Sequence, residues 1–121
     1  MAITPLNNFA AVQNFITQVL MQNGDTNKVA AAPHKAFWNT LTFNEFVTGN
    51  VPNVSDPNTG GPMPVLVKGN SAQSNLIQAL LGIGPIFGTA GAISQMPEGG
   101  TPFTLDQIKS IANWIDNGCP Q

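Results

Sequence analysis

Few residues in this chain can do acid–base, nucleophilic or metal chemistry. Among 121 residues there are one histidine, His34, one cysteine, Cys119, six carboxylates and four lysines, with no arginine and no tyrosine. Cys119 stands third from the C-terminus with no second Cys or His to assist it, so it reads as a helix-end residue and not as a nucleophile or metal thiolate. The carboxylates are scattered, three of them beside Gly, Pro or Asn in turn-like sequence, and no pair is spaced for general acid–base work. No zinc or calcium spacing exists. Gly82, Gly84 and Gly88 follow a helical pattern instead of opening one and precede no Lys-Ser/Thr, which excludes a phosphate cradle. No constellation supports catalysis, and the expectation is a protein that is not an enzyme.

The elements that hold these residues belong to one domain spanning 1–121, since 12.7 kDa is too little for two of ordinary size. Apolar residues make up 42% of the chain, but charged residues make up only 8%, where about 25% is usual. Asn (14), Gln (8), Thr (10) and Ser (5) must therefore form most of the wetted surface. A net charge of -2 gives no basic footprint for nucleic acid or an anionic membrane, and no apolar run approaches the length of a membrane span. The N-terminus lacks a basic segment followed by an apolar one. The expectation is a soluble chain, either cytoplasmic or exported with a signal peptide removed ahead of Met1. A single Cys forms no intrachain disulfide, so the fold must rest on its core.

Thr4 as N-cap and Pro5 at the first helical position predict a helix carrying Phe9, Val12, Phe15, Ile16, Val19 and Leu20 on one face and closed by Gly24. Thr42 and Glu45 have capping-box spacing within PHKAFWNTLTFNEFVTG, which predicts one or two short helices ending at Gly49. Residues 49–64 carry four Pro and three Gly and are expected to lack regular structure. Ser71 or Ser74 caps a third helix of about two turns bearing Leu76, Ile77, Leu80 and Leu81, with Gly82 as its stop. Residues 82–103 show no period, yet Ile83, Ile86, Phe87, Ile93 and Met96 make them too apolar for disorder. Thr104 and Gln107 form a second capping box for a last helix with Leu105, Ile108, Ile111, Ala112 and Ile115 on its apolar face and Gly118 and Pro120 at its end. The expected fold class is all-α, a bundle of about four helices with long loops.

The segments LTFNEFVTG, GGPMPVLVKGNSAQSNLIQALLG, QMPEGG and FTLDQIKSIANWIDNGCP, in that order, resemble the corresponding parts of small bacterial cytochrome c domains. The resemblance covers roughly residues 6 to 120. It implies a cytochrome c-like bundle with a Met-Pro loop before the last helix, in which Met96 occupies the place of the axial methionine. The chain departs from the family where Cys-x-x-Cys-His should follow the first helix, for residues 19–26 read VLMQNGDT. Without two thiols no covalent haem forms.

Two readings follow from that departure. In the first, the domain holds no cofactor, and side chains fill the space of the missing haem, because an empty core cavity costs about 24 cal/mol per Å³. Phe37, Trp38, Phe43 and Phe46, with Met21 and Phe87, are the expected filling, or else they line an apolar pocket for another ligand. The domain is then a non-catalytic binding or assembly module. In the alternative, His34 and Met96 hold a non-covalent haem as a His/Met pair for electron transfer, although His34 falls about ten residues beyond the family's proximal position. Partners are expected through loops 49–64 and 82–103, as a companion protein or a second copy, with no nucleic acid and no membrane.

Overall fold

The computed structural model describes residues 4–31, 35–84, 86–88, 93, 95–96 and 100–121. These residues form six α-helices and a two-stranded antiparallel sheet, so the fold is mixed α and β, which corrects the all-α, four-helix expectation. The helices are α1 (Phe9–Gln22), α2 (Thr26–Ala31), α3 (Phe37–Thr40), α4 (Phe43–Thr48), α5 (Asn75–Leu81) and α6 (Leu105–Asp116); β1 (Asn50–Ser55) and β2 (Pro62–Pro64) lie between α4 and α5. A short 3-10 turn, Ser71–Gln73, leads into α5.

The sheet arises where proline seemed to forbid it. In a two-stranded ladder each strand has one unpaired edge, so the missing N–H of Pro52, Pro62 or Pro64 need not break a ladder bond. Asn50 lies opposite Pro64 and Ser55 opposite Pro62, so residues 51–54 bulge against Met63 alone, with Asn53 at φ 59°. The turn between the strands is held by Asp56, whose side chain accepts from the Asn58 N–H at 2.8 Å while its carbonyl accepts from the Gly60 N–H at 2.7 Å.

α1 begins later than Thr4 predicts. Asn8 is the N-cap, its side-chain oxygen accepting from the Ala11 N–H at 2.8 Å, and the Thr4 N–H instead donates to Ser110 Oγ on α6 at 2.9 Å. That long-range bond holds the N-terminal segment along α6. α2 was not foreseen; it starts where the Asp25 carbonyl accepts from the N–H groups of Lys28 and Val29. Both expected capping boxes are present, Thr42 with Glu45 and Thr104 with Gln107. Ser74 stands at the N-cap of α5, but its hydroxyl serves Val67 and Asn70 instead of the helix.

The main core gathers Val12, Ile16, Val19 and Leu20 from α1, Phe37 and Trp38 from α3, Phe46 from α4, Ile77 and Leu80 from α5, and Ile108, Ile111, Trp114 and Ile115 from α6. Leu105, expected on the buried face of α6, is 62% exposed. It sits in the first turn, beyond the end of the seam, and Trp114 completes that seam. A second, smaller cluster of Met63, Ala79, Ile86 and Phe87 lies on the opposite side of α5.

Candidate functional site

Aromatic residues of α1, α3, α4 and α6 meet in the main core. Phe46, fully buried, has ring centroids 5.2 Å from Phe9, 6.0 Å from Phe37 and 6.2 Å from Trp114. Phe37 meets Trp38 edge-on at 5.5 Å, and half-buried Phe43 meets Phe9 edge-on at 5.6 Å. These separations are those of rings in direct contact. The polar edges are satisfied: Trp38 Nε1 donates to Thr17 Oγ1 at 3.1 Å, and Trp114 Nε1 donates to the Pro120 carbonyl at 2.9 Å. Phe9 was missed as a member because it reads first as part of the α1 face, and Trp114 because it stood outside the Leu105, Ile108, Ile111, Ala112, Ile115 face expected of the last helix. Only tertiary packing brings those two faces together.

Two expected members of this filling lie elsewhere. Met21 is 62% exposed, because its place on α1 falls off the Val12, Ile16, Val19, Leu20 stripe and turns it to solvent. Phe87 is buried in the second cluster, on the far side of α5 from Phe46. Met96 is half-buried and packs against both clusters, its N–H donating to the Ala79 carbonyl at 2.9 Å. His34 lies outside the described residues.

The same second cluster unites the two loops expected to bind partners. Val51, Val54 and Met63 from 49–64 meet Ile86, Phe87, Ile93 and Met96 from 82–103 over Ala79 of α5. Phe87 and Ile93 form an isolated parallel bridge, and Gln95 Nε2 donates to the Leu80 carbonyl at 2.9 Å, covering the end of α5. Among the described residues of these loops, Met63, Ile86 and Phe87 are therefore turned inward. Ile83, 52% exposed, is the large apolar side chain these two loops leave in water among the described residues.

Sequence reasoning also missed Asp25. Its carboxylate, 3% exposed, accepts from the Thr101 N–H at 2.8 Å and ties the α1–α2 corner to the segment entering α6. The signal was present: Asp directly before a Thr-initiated helix. The Cys119 thiol is buried, and burial pushes it above its ordinary value against the opposing pull of the Gly69 N–H and the Lys68 ammonium. A thiol kept protonated is a poor nucleophile, in keeping with a structural role.

Among the described residues, no three of His, Cys, Asp and Glu gather to hold a metal ion. A groove of about 250 Å³ runs between α1 and the start of α6, with Phe15 and Val19 at its floor and Gln18, Gln22, Asp106 and Gln107 at its rim. No helix among the described residues is long and apolar enough to cross a membrane. Comparison with protein families, with curated proteins and with solved structures found no match.

Proposed function

We propose that this domain is a non-catalytic binding or assembly module, related to the cytochrome c domains it resembles but holding no haem. The packed rings of Phe9, Phe37, Trp38, Phe46 and Trp114 carry this reading. They occupy the interior with the chain's own side chains. The surface of the hairpin and the 82–103 loop is the partner face. Of the ten charged residues only Asp56 and Glu98 fall within 49–64 and 82–103, and neutral polar groups lose less than ions on leaving water. Such a face gives little electrostatic steering, so its association is insensitive to salt.

Sedimentation of the purified protein at low and high ionic strength tests the association. The expected result is an oligomer, or a complex with a copurifying protein, that persists at high salt and weakens when Ile83 is replaced by Asn. A monomer at every concentration, or an assembly dispersed by salt, overturns it. Hemin titration tests the interior. The protein is expected to be colourless and to show no saturable Soret band. A stoichiometric band lost in both His34→Ala and Met96→Ala would instead establish the non-covalent His/Met haem and an electron-transfer role.

A further inference from the structure

Asn followed by Gly occurs twice in the chain, at Asn23 and Asn117, and each pair closes a helix, α1 in the first case and α6 in the second. The two ends are built alike. Gly24 N–H donates to the Met21 carbonyl at 3.1 Å and Asp25 N–H to the Leu20 carbonyl at 2.9 Å, while Gly118 N–H donates to the Ile115 carbonyl and Cys119 N–H to the Trp114 carbonyl, both at 3.0 Å. Gly24 and Gly118 take the left-handed φ, 73° and 92°, that this double closure requires.

Asn before Gly is also the sequence at which a chain most readily modifies itself. The glycine nitrogen attacks the asparagine Cγ, the Cγ–Nδ2 bond breaks, and the nitrogen's proton departs with the amide as ammonia, leaving a cyclic imide. Water then opens the imide at either carbonyl, which gives aspartate or isoaspartate. At the other asparagines a side chain on the next residue hinders the attack. The closed helix ends hold both sites back. With ψ at -7° for Asn23 and 6° for Asn117, the glycine nitrogen turns toward the asparagine's own nitrogen and away from Cγ, and its N–H is already bonded. Ring closure therefore requires the helix end to open, and the residue after the glycine has to leave its seat.

Those seats differ. The Asp25 carboxylate is held by the Thr101 N–H at 2.8 Å, and on leaving it exchanges that bond for water. Cys119 belongs to the main apolar cluster, and its departure carries the adjoining Pro120 carbonyl off Trp114 Nε1, so a buried indole loses its acceptor. Releasing apolar surface to water is the greater cost, so the α1 end opens first, although Asn117 is the more exposed asparagine. We propose that Asn23 is a site of self-modification, gated by the tie between Asp25 and Thr101, and that its conversion to isoaspartate releases the segment entering α6. Isoaspartate carries the main chain through the side-chain carbon. The longer path prevents Asp25 from meeting Leu20 and Thr101 together. Either product also sets a carboxylate at the C-terminal end of α1, where the helix dipole disfavours it.

The purified protein, held at neutral pH, cleaved after its four lysines and read by tandem mass spectrometry, reports the two sites separately, since Asn23 falls in peptide 1–28 and Asn117 in peptide 110–121. In denaturant the two are expected to convert at similar rates. In the folded protein Asn23 is expected to convert on the order of tenfold faster than Asn117. Gly100→Ala leaves the sequence around Asn23 intact but sets a Cβ 2.7 Å from the Asp25 carboxyl carbon, and it is expected to speed conversion at Asn23 with Asn117 unaffected. In the isoaspartate fraction of aged protein, the Thr101 amide is expected to exchange faster than in the parent. Conversion at Asn117 first, or at equal rates in the folded protein, overturns the proposal. So does an Asn23 rate that Gly100→Ala leaves unchanged, since the tie to Thr101 is then not the gate, or a Thr101 amide as protected after conversion as before.

Discussion

Phe46→Ala is expected to lower the free energy of unfolding by ~3–5 kcal/mol, the cost of removing a fully buried phenyl ring and leaving a cavity behind. Phe46 has no exposed surface, and its ring lies between those of Phe9, Phe37 and Trp114, at 5.2, 6.0 and 6.2 Å. These partners come from α1, α3 and α6, so four helices meet at this one side chain. Relaxation into the gap is limited. Phe37 and Trp38 are fixed to each other, and the Trp38 carbonyl and indole are both bound by α1, through Gln13 Nε2 at 2.8 Å and Thr17 Oγ1 at 3.1 Å. Phe43→Ala provides the control: this half-buried ring touches Phe9 edge-on and is expected to cost less. In denaturant unfolding the midpoint should fall with little change in slope. A Phe46→Ala protein unfolding within about 0.5 kcal/mol of the parent would place the ring on a pocket wall, where truncation enlarges a binding space without weakening a core.

The caps and the core stripes were legible in the sequence because each is a local signal. Thr42 with Glu45 and Thr104 with Gln107 lie three residues apart and act on the same turn, so no distant residue competes for them. Thr4 shows the opposite case: its spacing to Pro5 suited a helix start, but Ser110, 106 positions away, takes its N–H. The hairpin was illegible because proline and glycine mark where a ladder is interrupted and not where it resumes, and residues 51–54 bulge to fit both prolines of β2 into the pairing. The membership of the aromatic group in the core was half legible. Density in sequence identified Phe37, Trp38, Phe43 and Phe46, whereas Met21 follows helix phase out to solvent and Phe87 follows its glycine-bounded segment across α5. The turn that joins the two strands of the hairpin is held by Asp56.

Asp25→Ala is the second substitution expected to act strongly, because the buried Asp25 carboxylate ties the α1–α2 corner to the approach to α6. Its main-chain N–H donates to the Leu20 carbonyl at 2.9 Å, its carbonyl receives the N–H groups of Lys28 and Val29, and its Oδ2 accepts from Thr101 at 2.8 Å. The main-chain bonds survive the substitution; the Thr101 bond does not. A hydrogen bond to a charged group contributes about 1.5–3 kcal/mol, and Thr101 is exposed enough for water to replace part of it, so a loss of about 1.5–2 kcal/mol is expected. The Lys28 ammonium, 4.0 Å from Oδ1 and largely solvated, adds little. Asp25→Asn keeps an oxygen acceptor without the charge and should fall between Ala and the parent. Gly100→Ala reaches the same contact from the other side, since a Cβ there would lie 2.7 Å from the carboxyl carbon and push the Thr101 N–H off its acceptor. The three variants should therefore rank together in denaturant unfolding and in exchange of the Thr101 amide. Equal protection of that amide in Asp25→Ala and in the parent would mean that the carboxylate does not hold the segment, and that α6 is positioned by its apolar seam alone.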